Sequence, residues 1–421
     1  MAFQRLRGFR DVYGEEAALF ARIDGAARTV FERFGFEEMR TPILEERELF
    51  KRALGVDTDV VQKEMYEFTD RSKTAVALRP EATAGVVRAY LENNFHKTKG
   101  LAKFYYSGPM FRSERPQAGR LRQFHQVGVE QLGTESPYAD AETIHCLALF
   151  LDALGIGGYE VRLNNLGTFE EREKFKAKLK SYFEPKKSRL CEDCRTRLEK
   201  NVLRILDCKV VSCRAAATDA PSIGDFLNQE SKDHHGHVRQ ALDAAGVKYA
   251  EDPRRVRGLD YYTRTVFEVT HPKLGAQDAI AAGGRYDQLI ESFGGSKAGA
   301  VGFAVGVERL AMCLSDTKRE KVDQLSVFIA AVGDAGMKEG FKMLSGLRKA
   351  GLQAFMDFSL KSLKGQMRLA DKMGCEYAVV IGEDEITRKK CIIKLMRGGP
   401  QIEREMDVEV IAEQIKRLAH D

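Results

Sequence analysis

The sequence has no apolar run long enough to span a bilayer, and its first residues, MAFQRLRGFRDVYGEE, lack the apolar core of a signal peptide. We therefore expect a cytoplasmic protein without a membrane segment. Its eight cysteines are too few in 421 residues for a disulfide framework, and we expect them to stay reduced. Neither a P-loop nor a GxGxxG fingerprint is present, which excludes the two commonest glycine-loop nucleotide sites.

The chain is long enough for two or three domains, and 43% hydrophobic with 31% charged residues is typical of a globular protein. The formal net charge of +5 is a weak indication of a nucleic-acid partner. The distribution of charge along the chain is more informative than the net charge, because residues 168–214 contain 14 Lys and Arg against 8 Asp and Glu. The positive excess therefore lies in a middle segment.

Periodicity separates several regions along the chain. Residues 15–34 place apolar side chains at helical spacing, and Gly35 follows as a helix-terminating residue. Strand-like runs between residues 76 and 130 are separated mainly by short turns, which predicts an antiparallel sheet. Residues 168–250 have helical patterns and resemble an insertion. After the polar segment TKREKVDQ, read as a linker, the pattern β-α-β-α-β predicts a small α/β domain with a mostly parallel sheet.

The stretch PMFRSERPQAGRLRQFHQVGVE predicts a basic turn between two strands. Alternation puts Arg112 and Glu114 on one face of the first strand, and Gln126, Gly128 and Glu130 on one face of the second. We expect Gly128 to leave room for a ligand against the sheet. Because the planar fork of arginine suits phosphate or carboxylate, this hairpin predicts a site for an anion. A solvated hairpin whose arginines pair with surface acids is the alternative.

Further stretches offer polar side chains in similar settings. They are Glu81 and Thr83 in ALRPEAT, Arg257, Tyr261 and Tyr262 in RGLDYYTRTVFEV, Tyr286 in AAGGRYD, and Arg309 in GFAVGVERL. Arg309 falls in the first turn of a helix, where a cation opposes the helix dipole unless an anion lies nearby. Structural alternatives exist: Glu81 would cap the following helix, and the tyrosines would be core aromatics with hydrogen-bonded hydroxyls.

These segments carry a family resemblance. FRSE followed by RQFHQVGVE resembles motif 2 of the class II aminoacyl-tRNA synthetases. The helix and strand that end at Pro42 resemble motif 1, and GFAVGVERL resembles motif 3. RGLDYYTRTVFE and AAGGRYD resemble two peptides peculiar to histidyl-tRNA synthetases. With RPEAT, the resemblance covers nearly the whole chain.

The resemblance implies an α+β fold with a six-stranded antiparallel catalytic sheet flanked by helices. We assign residues 1–167 and 251–320 to this class II catalytic domain, 168–250 to a helical insertion and 325–421 to a C-terminal α/β anticodon-binding domain. It further implies a homodimer formed partly through motif 1. The basic insertion would then contact the acceptor arm of tRNA through its phosphates.

The implied activity is ATP-dependent ligation of L-histidine to histidine tRNA through a histidyl-adenylate, with ATP as substrate and Mg²⁺ as its metal. Arg112 and Arg257 are expected at the α-phosphate, Arg309 along the adenine and at the γ-phosphate, and Glu114 at the adenine edge. Glu130 would accept an imidazole N–H. The residues expected around histidine are Glu81, Thr83, Gln126, Glu130, Tyr261, Tyr262 and Tyr286.

Two other functions remain open at this point. A synthetase-like regulatory subunit of histidine biosynthesis would bind histidine without charging tRNA, but such paralogues tend to lack the C-terminal domain and the motif arginines. An RNA-binding or signalling protein would keep the fold without the chemistry.

Four cysteines of the insertion permit a structural zinc site. Cys191 and Cys194 have the spacing of zinc ligands, whereas Cys208 and Cys213, with four residues between them, are a looser pair. The alternative is that all four are small buried helix residues. The nearby HHGH, residues 234–237, is expected to be exposed polar surface.

Overall fold

The computed structural model describes residues 3–56, 58–253, 261–314, 326–359, 361–399 and 401–420. Contacts divide the chain into two units, Met1–Thr317 and Lys318–Asp421, each with its own apolar core. The linker predicted at TKREKVDQ lies outside the described residues. Among those described, no helix is both long and apolar enough to cross a membrane.

The first unit mixes strands and helices throughout. Its strands are β1 (Glu37–Glu38), β2 (Leu44–Glu46), β3 (Tyr66–Thr69), β4 (Ala75–Leu78), β5 (Ala102–Phe111), β6 (Gln123–Leu132), β7 (Glu160–Asn165), β8 (Tyr249–Glu251), β9 (Thr263–Thr270), β10 (Ala279–Arg285) and β11 (Ala300–Gly306). Its α-helices are α1 (Gly14–Arg33), α2 (Arg47–Leu54), α3 (Thr83–Glu92), α4 (Phe95–Thr98), α5 (Pro137–Ala153), α6 (Phe169–Phe183), α7 (Glu192–Lys200), α8 (Val211–Ala216), α9 (Gln229–Ala244), α10 (Gln288–Ser292) and α11 (Val307–Leu314). Shorter helical turns occupy Val60–Glu64, Glu184–Arg189, Val202–Ile205, Ile223–Phe226 and Pro272–Gln277.

The main sheet has the strand order β1-β5-β6-β11-β10-β9-β7-β8. Its six central strands are antiparallel neighbours, whereas β1 pairs in parallel with β5 and β8 in parallel with β7. The predicted antiparallel sheet is thus confirmed in its centre, but the count of six strands is wrong by one edge strand on each side. These edge strands are only two and three residues long, too short for their periodicity to be recognised in the sequence.

The two faces of the sheet are covered differently. Val127 and Val129 of β6 belong to a core formed with α1, α5, α9 and α11, and Ile23 and Phe31 of α1 are fully buried in it. The opposite face packs Phe104 and Tyr106 of β5 in a second core with α2, α3 and α10. The alternation predicted for β6 is therefore correct. Because this second group of helices covers only part of its face, a cavity remains beside it.

The region predicted as a helical insertion contains α6 to α9 and the turns between them. It begins with a capping box, in which Thr168 and Glu171 satisfy each other's backbone N–H groups. Its apolar core includes Phe175, Leu179 and Leu198 and extends to Val266 of β9. The insertion therefore packs against the strand that follows it.

The second unit is an α/β domain. Its strands are β12 (Ser326–Ala331), β13 (Gln353–Met356), β14 (Tyr377–Ile381), β15 (Lys390–Leu395) and β16 (Gln401–Glu405), and its helices are α12 (Gly333–Lys349), α13 (Leu363–Lys372), α14 (Glu383–Arg388) and α15 (Val408–His420). The order is β13-β12-β14-β15-β16, with β12 parallel to both neighbours. The predicted β-α-β-α-β pattern is present, but β15 and β16 add an antiparallel pair that the sequence did not reveal.

Candidate active site

A cavity of about 420 Å³ lies in the first unit against the partly covered face of the main sheet. Its walls include every residue predicted to bind histidine or ATP that the structure describes, whereas Arg257 lies outside the described residues. These residues are Glu81, Thr83, Arg112, Glu114, Gln126, Glu130, Tyr261, Tyr262, Tyr286 and Arg309. They come from α3, β6, α11 and the ends of three further strands, so one cavity collects segments that are far apart in the sequence.

Glu130 lies near the C-terminal end of β6, two residues before the strand ends at Leu132, and is only 1% exposed. The Thr83 hydroxyl donates to its Oε1 over 2.6 Å, and the Tyr286 hydroxyl donates to its Oε2. Gly302 faces it across the β6–β11 pairing, and a Cβ at that glycine would collide with Oε2. Burial raises the pKa of Glu130 to about 8, against the opposing effect of the two hydrogen bonds. Such a carboxyl can exchange a proton with a ligand near neutral pH.

Glu81 precedes the first turn of α3. Its carboxylate accepts hydrogen bonds from the backbone N–H of Thr83 over 2.6 Å and of Ala84 over 3.0 Å. The structural alternative, that Glu81 caps the helix, is therefore correct for its contacts, although the side chain also lines the cavity. Burial raises its pKa. Nearby, Arg79 donates to the backbone oxygens of Pro109 and Thr41, each over 2.9 Å, and so holds the turn in place.

Aromatic hydroxyls form another part of the wall. The ring of Tyr261 lies 4.6 Å from that of Tyr262 and 5.7 Å from that of Tyr286, between centroids. Burial raises the pKa of Tyr261 and Tyr286 well above the ordinary value, so both remain neutral hydrogen-bonding groups. Sequence reasoning missed Tyr106. It stands opposite Gly128 in the β5–β6 register, a relationship that no local pattern reveals.

The space above Gly128 is not available to a ligand, so that expectation is wrong. A Cβ at Gly128 would collide with the Tyr106 hydroxyl and with the backbone oxygen of Phe303. The glycine therefore makes room for a neighbouring phenol, which is buried and itself lines the cavity. The ligand space begins beyond that phenol.

Arg112 and Glu114 lie just after β5, which ends at Phe111, so their predicted alternation on a strand is wrong. Arg112 donates from Nε to the backbone oxygen of Pro80 over 2.9 Å, and its guanidinium lies 5.3 Å from the ring centroid of Phe124. The Glu114 carboxylate accepts from Nη1 of Arg120 over 3.0 Å. Sequence reasoning did not single out Arg120, although it belongs to the basic turn. The basic turn between β5 and β6 therefore contacts Glu114, an acid at its own start.

Arg309 is the third residue of α11, as predicted. It donates from Nε to the backbone oxygen of Gly119 over 3.3 Å and from Nη1 to that of Ala279 over 2.7 Å. Burial, followed by the charge of Arg120, lowers its pKa. Arg309 lines the same cavity as Arg112, Arg120 and Arg204, and four arginines in one cavity favour a polyanionic ligand.

Two further groups of titratable side chains, four cysteines and a buried histidine with its acid, lie outside the cavity. The sulfurs of Cys191, Cys194, Cys208 and Cys213 all lie within 4.8 Å of one another, so the structure brings the two cysteine pairs together. The expectation of an exposed HHGH segment is wrong for His234, which is buried and lies 2.8 Å from a carboxylate oxygen of Asp140. His234 faces inward because α9 packs against α5.

Two family models match this chain, one in each of its two units. Residues 8–310 match the family model described as Histidyl-tRNA synthetase. The chain belongs to the histidyl-tRNA synthetase family. Residues 326–418 match the model described as Anticodon binding domain. A family member named histidine–tRNA ligase from Thermodesulfovibrio yellowstonii is 47% identical over 407 residues, which cover 97% of each chain. Its namesake from Geobacter sulfurreducens is 43% identical over 410 residues, 97% of this chain and 99% of its own.

Solved structures have a similar fold. Apo S. aureus histidyl-tRNA synthetase is 33% identical with a TM-score of 0.82, and the match covers 99% of this chain and 100% of that one. A Bacillus halodurans protein described as ATP phosphoribosyltransferase regulatory subunit/histidyl-tRNA synthetase has a TM-score of 0.67 at 19% identity, covering 91% and 99%. That second likeness concerns the fold alone.

Proposed function

We propose that the protein ligates L-histidine to histidine tRNA at the expense of ATP, through a histidyl-adenylate. The observation that carries the proposal is the cavity, in which the Glu130 carboxyl, held by two hydroxyl donors, shares one space with four arginines. Membership of the histidyl-tRNA synthetase family supports the same reaction. A regulatory subunit without ligase activity is not favoured, because the motif arginines and the anticodon-binding unit are both present.

The first step brings a carboxylate to a polyanion. An oxygen of the histidine carboxylate attacks the α-phosphorus of ATP, a new O–P bond forms, and pyrophosphate leaves with the electron pair of the broken bond. Such a step depends mainly on positioning and on neutralising charge. In this proposal Arg112 and Arg257 supply fixed positive charge at the α-phosphate, and Arg309 supplies it at the γ-phosphate. Glu114 is proposed to read the adenine edge.

Selection of histidine is proposed to depend on Glu130. Because this carboxyl is buried and its pKa is raised to about 8, it suits an imidazole, which also exchanges protons near neutrality. Tyr286 and Thr83 hold the carboxyl, while Tyr261, Tyr262, Glu81 and Gln126 complete the proposed pocket. A site that hydrogen-bonds its ligand discriminates by about 10⁴–10⁵ against analogues that lack the bonding group.

Magnesium fits the carboxylates of the cavity. Glu64 and Glu114 both line it, and burial together with the charge of Glu114 raises the pKa of Glu64. A divalent cation relieves such repulsion, and Mg²⁺ needs only one or two carboxylates beside the phosphates of its nucleotide. We expect Glu64 to hold the ion, with Glu114 left at the adenine edge, and the bound ion would neutralise phosphate charge.

The second step transfers the histidyl group. The terminal ribose hydroxyl of the tRNA attacks the acyl carbon, and AMP leaves with the electron pair of its bond to that carbon. The anticodon-binding unit and the basic insertion are proposed to hold the tRNA, the insertion through phosphates. In this proposal, residues 1–167 and 251–320 form the catalytic domain that carries out both steps. Residues 168–250 form the insertion and residues 325–421 the anticodon-binding domain, and these two hold the tRNA.

A homodimer in the cytoplasm is the proposed state. Ile43, Leu44 and Phe68 are 43%, 41% and 50% exposed on or beside the small antiparallel sheet β2-β4-β3, which follows motif 1. Apolar side chains grouped on a surface are typical of an interface. The substrates of the reaction, ATP and tRNA, are present in the cytoplasm.

Exchange of labelled pyrophosphate into ATP tests the proposal. The purified protein should exchange only when histidine is added, and should then charge histidine tRNA. Histidine binding without exchange would instead identify a regulatory subunit, and the absence of both would identify a protein that keeps the fold alone.

A further inference from the structure

The insertion contains a compact group of four cysteines that the proposed reaction does not use. Cys191 immediately precedes α7 and Cys194 lies in its first turn, whereas Cys208 follows the turn Val202–Ile205 and Cys213 lies in α8. All four sulfurs are within 4.8 Å of one another. Three segments of chain therefore converge on one point through their thiols.

The distances suit a single tetrahedral ion. Zinc–sulfur bonds of about 2.3 Å place the sulfurs of a tetrahedral site roughly 3.8 Å apart, and Cys191 Sγ lies 3.9 Å from Cys208 Sγ. That separation is about twice the length of a disulfide bond. A four-iron cluster would hold its cysteine sulfurs farther apart. We propose that Cys191, Cys194, Cys208 and Cys213 bind one structural zinc ion.

Hydrogen-bond donors approach two of the four sulfurs. The backbone N–H of Cys191 donates to Cys213 Sγ over 3.1 Å, and Nη1 of Arg197 lies 3.9 Å from Cys194 Sγ. Four thiolates around one Zn²⁺ leave a net negative charge, which these donors offset. Because Cys194, Cys208 and Cys213 are buried, the site has the closed character of a structural rather than a catalytic zinc site.

The ion would stabilise a part of the fold whose helices are short. α7 has nine residues and α8 only six, and helices of that length are marginal without tertiary support. Arg204 lies between Cys194 and Cys208 in the sequence. It pairs with Asp59 and lines the active-site cavity. The proposed zinc site therefore holds the segment that brings Arg204 to the cavity wall.

Metal analysis of the full-length protein tests this site. Protein produced with zinc in the medium and dialysed should contain about one zinc per chain. Cys208→Ser should contain at least tenfold less. Cys375→Ser is the matched control, because Cys375 is a buried cysteine of the second unit, and it should retain the full zinc content.

Cobalt substitution keeps the test decisive if Cys208→Ser does not fold. After removal of zinc by a chelator, the unmodified protein should bind Co²⁺ with intense thiolate-to-cobalt absorption that saturates at about one equivalent and disappears on addition of zinc. The chelated protein should also unfold at a lower temperature. Zinc below about a tenth of an equivalent, together with no thiolate–cobalt absorption, would overturn the proposal. Neither readout depends on the ligase reaction.

Discussion

The Thr83 hydroxyl donates a hydrogen bond of 2.6 Å to the Glu130 carboxylate, which ties the first residue of α3 to the C-terminal part of β6. Tyr286, just after β10, donates to the other oxygen of the same carboxylate. Glu130 is therefore held from two directions before any ligand arrives. A preorganised group of this kind is what a selective binding site requires.

Removal of the Glu130 carboxyl should raise the KM for histidine far more than the KM for ATP. In Glu130→Ala the KM for histidine should rise about 10- to 150-fold, the value of one hydrogen bond to a charged group, whereas the KM for ATP should change little. Pyrophosphate exchange at varied concentrations of each substrate measures both. Glu135→Ala, at an exposed acid after β6, is the control. Equal effects on the two substrates would contradict the assigned role.

The same carboxyl should make stability depend on pH. Burial raises the pKa of Glu130 from 4.5 to about 8, so the folded protein holds a proton that the unfolded chain releases. The associated stability is fully present below pH 4.5 and is lost as the pH rises through 8. Without histidine, the melting temperature of Glu130→Gln minus that of the unmodified protein should increase from pH 5 to pH 9. Glu135→Gln should show no such trend, and a flat or falling difference for Glu130→Gln would refute the prediction.

Local sequence patterns were sufficient for the elements that matter most to the fold. The apolar spacing of residues 15–34 predicted α1, and Gly35 adopts the φ of +79° expected of a residue that ends a helix. Alternation along β6 correctly separated Val127 and Val129 from Glu130. The edge strands were missed because two or three residues carry no usable period. The antiparallel addition of β15 and β16 depends on tertiary pairing.

The site was predictable in composition but not in geometry. Family motifs supplied the residues that line the cavity, whereas the partner of each residue depends on strand register. Tyr106 was missed for this reason, because its position above Gly128 is fixed by β5–β6 pairing. The cysteine group is a similar case. The spacing of its second pair is loose, yet folding of α7 and α8 brings all four sulfurs together.

Arg309 should be needed for the first chemical step. In Arg309→Gln the rate of pyrophosphate exchange should fall about 10²–10³-fold, the usual cost of losing one preorganised charged contact. Arg309→Lys should recover little, because an ammonium group cannot reproduce the fork that contacts the backbone oxygens of Gly119 and Ala279. Arg52→Gln changes an exposed arginine and should leave the rate unchanged. Full activity of the lysine variant would show that charge alone suffices.

Gly302 should tolerate no side chain. A methyl group there would collide with Oε2 of Glu130 and with the backbone oxygen of Val129, so the carboxylate of Gly302→Ala must leave its two donors. We expect the KM for histidine to rise at least tenfold, toward that of Glu130→Ala. Gly25→Ala makes the same chemical change in α1 where nothing lies within 4 Å, and its kinetics should not change. A normal KM in Gly302→Ala would mean that Glu130 does not need its observed position.

The buried pair Arg285–Asp140 should be essential for stability rather than for binding. Both side chains are completely inaccessible, and Arg285 contacts the Asp140 carboxylate as well as Asp287, over 2.9 Å. Asp140→Ala leaves the guanidinium with one acid in place of two, and removing a partner from a buried ion pair typically costs about 3–5 kcal/mol. Urea denaturation followed by fluorescence of the tyrosines should show the loss. The double variant Arg285→Met with Asp140→Leu should regain part of it, because the fully buried guanidinium and its fully buried carboxylate are then both absent, while Asp287 is partly exposed and still accepts from the backbone N–H of Ala300. A double variant less stable than Asp140→Ala would show that the ion pair contributes more than its desolvation costs.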